Sequence, residues 1–330
     1  MPSVFIMCNP LADILFKSPA ELPGELGASP GSMNLVDSGV IDKILAHGLT
    51  GRRVPGGSGA NTARGLAWLD NGEGRIQKPA FLGSVGDDSE GRAFEELLSQ
   101  AGVESHLAVK RGEPTGVSAI LVSPDHERTM FTSLGACRLL DAEDVPLDAV
   151  KNSAYIHITG YNWDTPNQEE AAKKAAAAAK KAGKKVSFDV ADPFVAQRYG
   201  DSFRKWGPGN LDLLFANQEE LAALTRTPGP EEDILKAAEE FAPLVIMKTG
   251  KKGCAILFSG KVLRVPGEKV SAVDTTAAGD SFAAGFFFGL LLGKDIETCA
   301  KAANRIASQM VTVEGCDYSR LEREKILQLL

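Results

Sequence analysis

Strand-like and helix-like segments alternate through most of this 330-residue chain, and that alternation restricts the fold more than any other property of the sequence. Short apolar runs at 4–8, 80–85, 155–159, 186–189, 211–215, 244–248 and 254–258 read as strands. Helical spacing of apolar residues fills much of the chain between them, at 61–69, 90–101, 167–182, 218–224 and 231–241. Neighbouring parallel strands need a crossover, usually a helix, so the pattern predicts an α/β protein with a mostly parallel sheet and helices on both faces. Two regions, about 14–53 and 105–135, break the rhythm with extended pieces such as 116–122 and 128–131 and no long helix between adjacent strands. They predict a small β subdomain, inserted twice into a single domain spanning 1–330, that lies above the carboxyl ends of the strands and closes over a substrate.

Composition narrows the function classes. A chain 44% hydrophobic and 24% charged reads as globular, neither disordered nor membrane-spanning. Its longest apolar run, 282–292, is too short for a bilayer and is interrupted by glycine. The first eight residues lack a basic region and a small-residue cleavage site, and read as a first strand rather than a signal peptide. The five cysteines form no CxxC pair, which predicts a reducing, cytoplasmic setting, and none lies near a histidine at zinc-ligand spacing. A net charge of −7 without a basic stripe argues against nucleic acid as partner. The expected partners are small molecules, with the chain as monomer or homodimer.

One stretch carries most of the chemistry. Asp274-Thr275-Thr276-Ala277-Ala278-Gly279-Asp280 runs straight into the apolar Ser281-Phe282-Ala283-Ala284-Gly285-Phe286. Small side chains let backbone N–H groups approach a phosphate, and the dipole of the following helix favours negative charge there. Asp280 falls in the first turn, where a carboxylate can take a proton from an attacking hydroxyl. The plain alternative is a helix cap and turn with no chemistry. No G-x-x-x-x-G-K-[ST] occurs, and Gly57-Ser58-Gly59-Ala60-Asn61-Thr62 lacks the third glycine of a dinucleotide fingerprint, so the phosphate site belongs near Asp280. Asn61 offers a donor and an acceptor beside those glycines. Asp13, at the end of the first strand, can accept two hydroxyl protons from a diol. Each of these also reads as an ordinary turn.

The stretch at 274–280 resembles the D-T-x-G-A-G-D signature of the ribokinase superfamily, the phosphofructokinase-B group of sugar and nucleoside kinases. Asn9-Pro10-Leu11-Ala12-Asp13, Gly31-Ser32-Met33-Asn34-Leu35, Glu127-Arg128-Thr129-Met130, Asp192-Pro193-Phe194 and Phe215-Ala216-Asn217-Gln218-Glu219-Glu220 are similar to segments of its adenosine kinase-like members. The likeness runs in order from about 4 to 315. It implies a ribokinase-like α/β/α sandwich with a β lid, and ATP-dependent phosphorylation of the 5′ hydroxyl of a ribonucleoside, adenosine first. A kinase for ribose, fructose or a related carbohydrate is the alternative.

The resemblance also implies roles. Asp280 is the base, and the amides of Ala277, Ala278 and Gly279 hold the transferred phosphoryl. Asp13, Gly57, Ser58, Asn61, Met33, Met130 and Tyr161 hold the acceptor. Asn217 and Glu220 match an N-x-x-E motif that organises water around Mg²⁺, although a helix cap with exposed acids explains them as well. Thr249, Gly250 and Gly253 lie beside the ATP ribose and phosphates, or form a plain turn. Asn304 approaches the adenine of ATP, and a monovalent cation such as K⁺ sits near 273–276. Two departures stand out. Ala277 replaces the usual glycine, which strains the backbone by about 1–2 kcal/mol if its φ is positive. Asn162, beside Tyr161, replaces one of a pair of aromatics.

Overall fold

Alternate residues of the strand Val4–Met7 enter two different cores, Val4 and Ile6 on one face and Phe5 and Met7 on the other. A strand buried on both faces has no polar side to show, which is why its sequence is continuously apolar. The computed structural model describes residues 3–124 and 127–330. Met1 and Pro2, read above with the first strand, and Asp125 and His126, within the second insertion, lie outside the described residues.

Val4–Met7 lies within a nine-stranded sheet. Its lateral order is Lys261–Pro266, Gly253–Phe258, Leu244–Lys248, Leu213–Asn217, Lys185–Asp189, Tyr155–Thr159, Val4–Met7, Ala80–Leu82 and Glu104–Ser105. All pairings are parallel except the two made by Gly253–Phe258. Helices Ser58–Asp70, Ala278–Leu291 and Ile296–Met310 pack on one face, and Pro166–Lys181, Pro193–Trp206, Gln218–Thr225 and Glu231–Ala238 on the other. The expected three layers are the observed ones. In Pro166–Lys181, Ala171, Ala172, Ala175, Ala176 and Ala179 turn inward at helical spacing. Ala278–Leu291 is buried along nearly its whole length, including Phe282, Phe286, Phe287 and Phe288, so packing aims its N-terminus.

Two strand expectations shift, and one strand was not foreseen. The run at 80–85 breaks at Gly83, where a Cβ would stand 2.6 Å from the Cys8 carbonyl oxygen. Ala80–Leu82 stays in the large sheet, while Ser84–Gly86 pairs with Ala108–Lys110. The strand expected at 211–215 is Leu213–Asn217, which makes Asn217 the cap of the next helix. Lys261–Pro266, half-exposed at the sheet edge, has too little alternation to be read from sequence.

A second sheet of five strands runs in the order Met33–Leu35, Arg128–Ser133, Gly116–Val122, Leu11–Lys17 and Gly51–Pro55. It spans 11–55 and 116–133 rather than 14–53 and 105–135, because Glu104–Ser105 and Ala108–Lys110 pair within the body. Contrary to expectation, the first insertion holds a helix of nine residues, Ser38–Ala46. Its Ile41 and Ile44 join Ile14, Phe16, Leu121 and Phe131 in a separate small core. The period of two in those strands sends Asp13, Ser118, Ile120, Met130 and Thr132 to the opposite face, where they line a cavity. Among the described residues no helix is long and apolar enough to cross a membrane. All five cysteines are buried and free.

Candidate active site

The N-terminus of helix Ala278–Leu291 is a wall shared by two cavities. Thr276, Ala277 and Asp280 line one of about 230 Å³. Thr275, Ala278 and Gly279 line the other, of about 630 Å³. Ala277 caps the helix at φ 58°, ψ 12°, in the left-handed region. The strained case considered from the sequence is therefore the one observed, at a cost of about 1–2 kcal/mol for a side chain with a Cβ.

The smaller cavity brings together Asp13, Met33, Gly57, Ser58, Asn61, Met130 and Tyr161, the seven residues expected at an acceptor. Gly57 turns the chain at φ 84° into helix Ser58–Asp70. From that first turn Ser58 Oγ donates to Asp280 Oδ1 at 2.6 Å, and Asn61 Nδ2 donates to Oδ2 at 2.9 Å. The Asn61 carboxamide thus holds Asp280 rather than standing free for a hydroxyl. Burial pushes the Asp280 carboxyl above the usual range, against the pull of those two donors. Burial likewise lifts Asp13 to about 7, opposed by the Arg128 charge and assisted by Asp280. Met130 and Met33 are register partners on adjacent strands. Asn162 is fully buried and does not reach the cavity; Tyr161 does.

The charge inventory of this cavity is one-sided. Asp13, Asp164 and Asp280 line it, and no lysine, arginine or histidine does among the described residues. Leu11, Leu35, Ile120, Leu134, Phe194 and Val195 form an apolar wall. Arg128, whose charge reaches Asp13, is paired with Asp274 at 2.6 Å. That pair joins the small sheet to the 274–280 stretch. Asp274 also accepts from the N–H and hydroxyl of Thr276 and from the Gly315 N–H. Arg53–Glu90, at 2.8 Å, bridges the same sheet to the body.

The larger cavity is lined by Lys248, Gly250, Lys251, Gly253, Lys269 and Asn304. Asn304 Nδ2 donates to the carbonyls of Val265 and Pro266 at 3.1 and 3.2 Å, which fixes the rim. Thr249 serves the turn instead, its N–H donating to the Gly253 carbonyl at 2.8 Å. Sequence reasoning had Lys248 only as the first residue of the segment 248–253 and gave it no role. Its Nζ would lie 3.3 Å from a Cβ placed on Gly279 and pairs with Asp189 at 3.0 Å. Burial alone would neutralise it, but Asp189 and Glu220 hold its pKa above the usual lysine value, so it stays charged. Both partners end buried strands, Lys185–Asp189 and Leu244–Lys248, and a charge at the carboxyl end of such a strand was the available signal.

Asn217 and Glu220 form a reciprocal helix cap. Glu220 N donates to Asn217 Oδ1 at 2.8 Å, while Asn217 N and Nδ2 donate to the Glu220 carboxylate at 2.7 and 2.6 Å. Glu220 is buried, which raises its pKa. Among the described residues no three acidic, histidine or cysteine side chains converge as a metal site.

The profile of the pfkB family carbohydrate kinases matches residues 32–323. The nucleoside kinase of Methanothermobacter thermautotrophicus is 29% identical over 266 residues, 80% of each chain. The ATP-dependent ribose-1-phosphate kinase of Halopiger xanaduensis is 33% identical over 267 residues, 80% of this chain and 82% of that one. The adenosine kinase of Sinorhizobium meliloti superposes with a TM-score of 0.90 at 30% identity, covering 99% of this chain and 98% of that one.

Proposed function

The chain belongs to the pfkB family of carbohydrate kinases and is an ATP-dependent phosphotransferase, and from that premise we propose that its acceptor is the 5′ hydroxyl of a ribonucleoside, adenosine first. The observation that carries this reading is the lining of the smaller cavity. A long apolar wall suits the flat face of a base, and plain ribose has nothing comparable to bury there. Three acids and, among the described residues, no lining cation suit a neutral polyol and oppose a sugar that already carries phosphate, even with Asp164 met from behind by Arg138 at 2.8 Å. The nucleoside kinase and adenosine kinase relatives support the same choice.

In this reading Asp280 takes the proton of the attacking hydroxyl, and Asp13 accepts from the ribose diol. ATP occupies the larger cavity. The amides of 277–279, the helix dipole and Lys248 meet the charge that develops on the phosphoryl as it crosses the shared wall. Positioning and electrostatics supply most of the rate. Kinases of this family use ATP, usually with Mg²⁺. Asn217 and Glu220 fit a supporting role toward that ion through water, since their side chains already hold each other. Bound with ATP, Mg²⁺ would neutralise charge on the phosphates. A monovalent cation near 273–276 fits less well, because the Asp274 charge is already met by Arg128.

A coupled assay over ribonucleosides, their 2′-deoxy analogues, ribose and fructose tests the reading. Adenosine is expected to lead. A 2′-deoxy analogue should lose roughly 5- to 150-fold in kcat/KM, the equivalent of 1–3 kcal/mol for an unpaired buried acceptor. Equal turnover of adenosine and 2′-deoxyadenosine would contradict the role of Asp13. Good turnover of ribose or fructose with none of any nucleoside would make this a sugar kinase.

A further inference from the structure

Asp280 has two side-chain partners, and one of them is held in turn. Asn61 donates to Asp280 from Nδ2 at 2.9 Å, while its Oδ1 accepts from Arg64 Nη1 at 3.3 Å. A carboxamide can turn over and exchange its oxygen and nitrogen. A guanidinium only donates and a carboxylate only accepts, so a single orientation of this amide satisfies both neighbours. Arg64 is anchored as well. Its Nη2 donates to the Cys316 carbonyl at 3.3 Å, and its guanidinium lies 5.9 Å from the ring centroid of Tyr318. The Tyr318 hydroxyl donates to the Asn61 carbonyl at 2.9 Å. Arg64 lines neither of the two cavities that meet at Asp280, but a third one elsewhere.

We infer that Arg64 is a positioning residue: it orients the Asn61 carboxamide so that its NH₂ group faces Asp280 and aims that carboxylate at the acceptor hydroxyl. The inference rests on Asp280 being the base of the proposed reaction. Without Arg64 the amide is free to present its oxygen to the carboxylate, which disfavours the ionised form. The other charged groups facing Asp280 are Asp13 from Leu11–Lys17, Asp189 from Lys185–Asp189 and Lys248 from Leu244–Lys248. The thiols of Cys8 and Cys316 and the phenols of Tyr161 and Tyr318 are all pushed up by burial and stay neutral. Of these, Cys316 and Tyr318 face Arg64 itself, and loss of its charge pushes both further up, so they stay neutral in the variants as well.

The test uses the full chain with Arg64→Met, Arg64→Leu and Arg64→Lys, each alone and in an Asn61→Ala background, with thermal melts throughout. Arg64→Met is expected to lose about tenfold in kcat, the scale of one lost hydrogen bond, with the KM for ATP unchanged. The acid limb of its kcat–pH profile should move to higher pH, and Arg64→Lys should restore most of the loss. In the Asn61→Ala background the Arg64 changes should cost nothing more, because the residue acts through Asn61. Arg64→Leu repeats the measurement if the methionine variant does not fold. A folded Arg64→Met or Arg64→Leu within twofold of wild type overturns the inference. So does a loss without a shift of the acid limb, or a loss that adds to that of Asn61→Ala. Asp280→Asn is measured alongside. If it retains a tenth of wild-type turnover, Asp280 is not the base and the inference falls with that role. If it is nearly inactive while the Arg64 variants are indifferent, the inference alone is wrong.

Discussion

The two cavities that meet at Ala277–Asp280 carry opposite charge. The smaller is lined by Asp13, Asp164 and Asp280 with no cation among the described residues, the larger by Lys248, Lys251 and Lys269 against a single acid, Glu268. In the proposed reaction this difference would sort a triphosphate from a neutral alcohol before any hydrogen bond is made. Like charge opposed in an enclosed site costs several kcal/mol, whereas a hydroxyl meets no such barrier. The wall between them is backbone: a helix N-terminus favours the transferring phosphoryl from either side. In the proposed reaction, charge then separates phosphorylated from neutral ligands, and shape and hydrogen bonding choose among the neutral ones.

The comparison breaks most visibly at the wall. Asp280→Asn is expected to cut turnover by about 10²–10⁴-fold while calorimetric affinity for ATP, bound on the other side, barely changes. A variant keeping more than a tenth of wild-type turnover would remove Asp280 from the base role. Next in size is the exclusion of phosphorylated acceptors. Ribose 1-phosphate should be used at least about a hundredfold less efficiently than adenosine, the effect of several kcal/mol of like-charge repulsion. Efficient use of it would mean that the one-sided charge of the smaller cavity does not govern selection.

A change of pH sharpens the contrast, because Asp13 titrates on the acceptor side at about 7. Below that value it is a neutral acid that has lost acceptor capacity; above it, a carboxylate able to take both hydroxyls of a diol. The acceptor KM should therefore fall as pH rises, by up to about tenfold between pH 6 and 8, with the ATP KM flat by comparison. An acceptor KM independent of pH, or one equally dependent in Asp13→Asn, would exclude Asp13 as the titrating group. The smallest effect is expected at Ala277. Glycine relieves its positive φ, so Ala277→Gly should gain about 1 kcal/mol in thermal or denaturant unfolding. Its kcat should rise or stay level with the same acceptor preference. A well-folded variant with tenfold lower kcat would show that the alanine is adapted to this site.

What was legible in the sequence was local. Asp280 and the small residues before it are contiguous, and Gly57, Ser58 and Asn61 share one turn, so their proximity needed no fold. Lys248 and Asp189 stand 59 residues apart and Arg128 and Asp274 146, and nothing near either member announces the other. Asn217 and Glu220 were readable in two ways because a cap and a water-mediated metal site use the same spacing; the structure shows the cap. Asn162 replaces an aromatic beside Tyr161 yet turns away from the cavity, because adjacency in sequence says nothing about which way a side chain turns.

The sequence by itself determined the alternation of strand and helix, the burial of strands such as Val4–Met7 on both faces, and a run of small residues at a helix N-terminus at 274–280. These depend on periodicity and backbone chemistry within a few residues of each position. Only the tertiary structure decided the sign of φ at Ala277, the partners of Asn61 and the separation of acids from lysines across one wall. The reason is physical. A helix N-terminus makes its potential locally, but its direction comes from packing along Ala278–Leu291, and charges distant in the chain acquire their energies only when the sheet brings strand ends together.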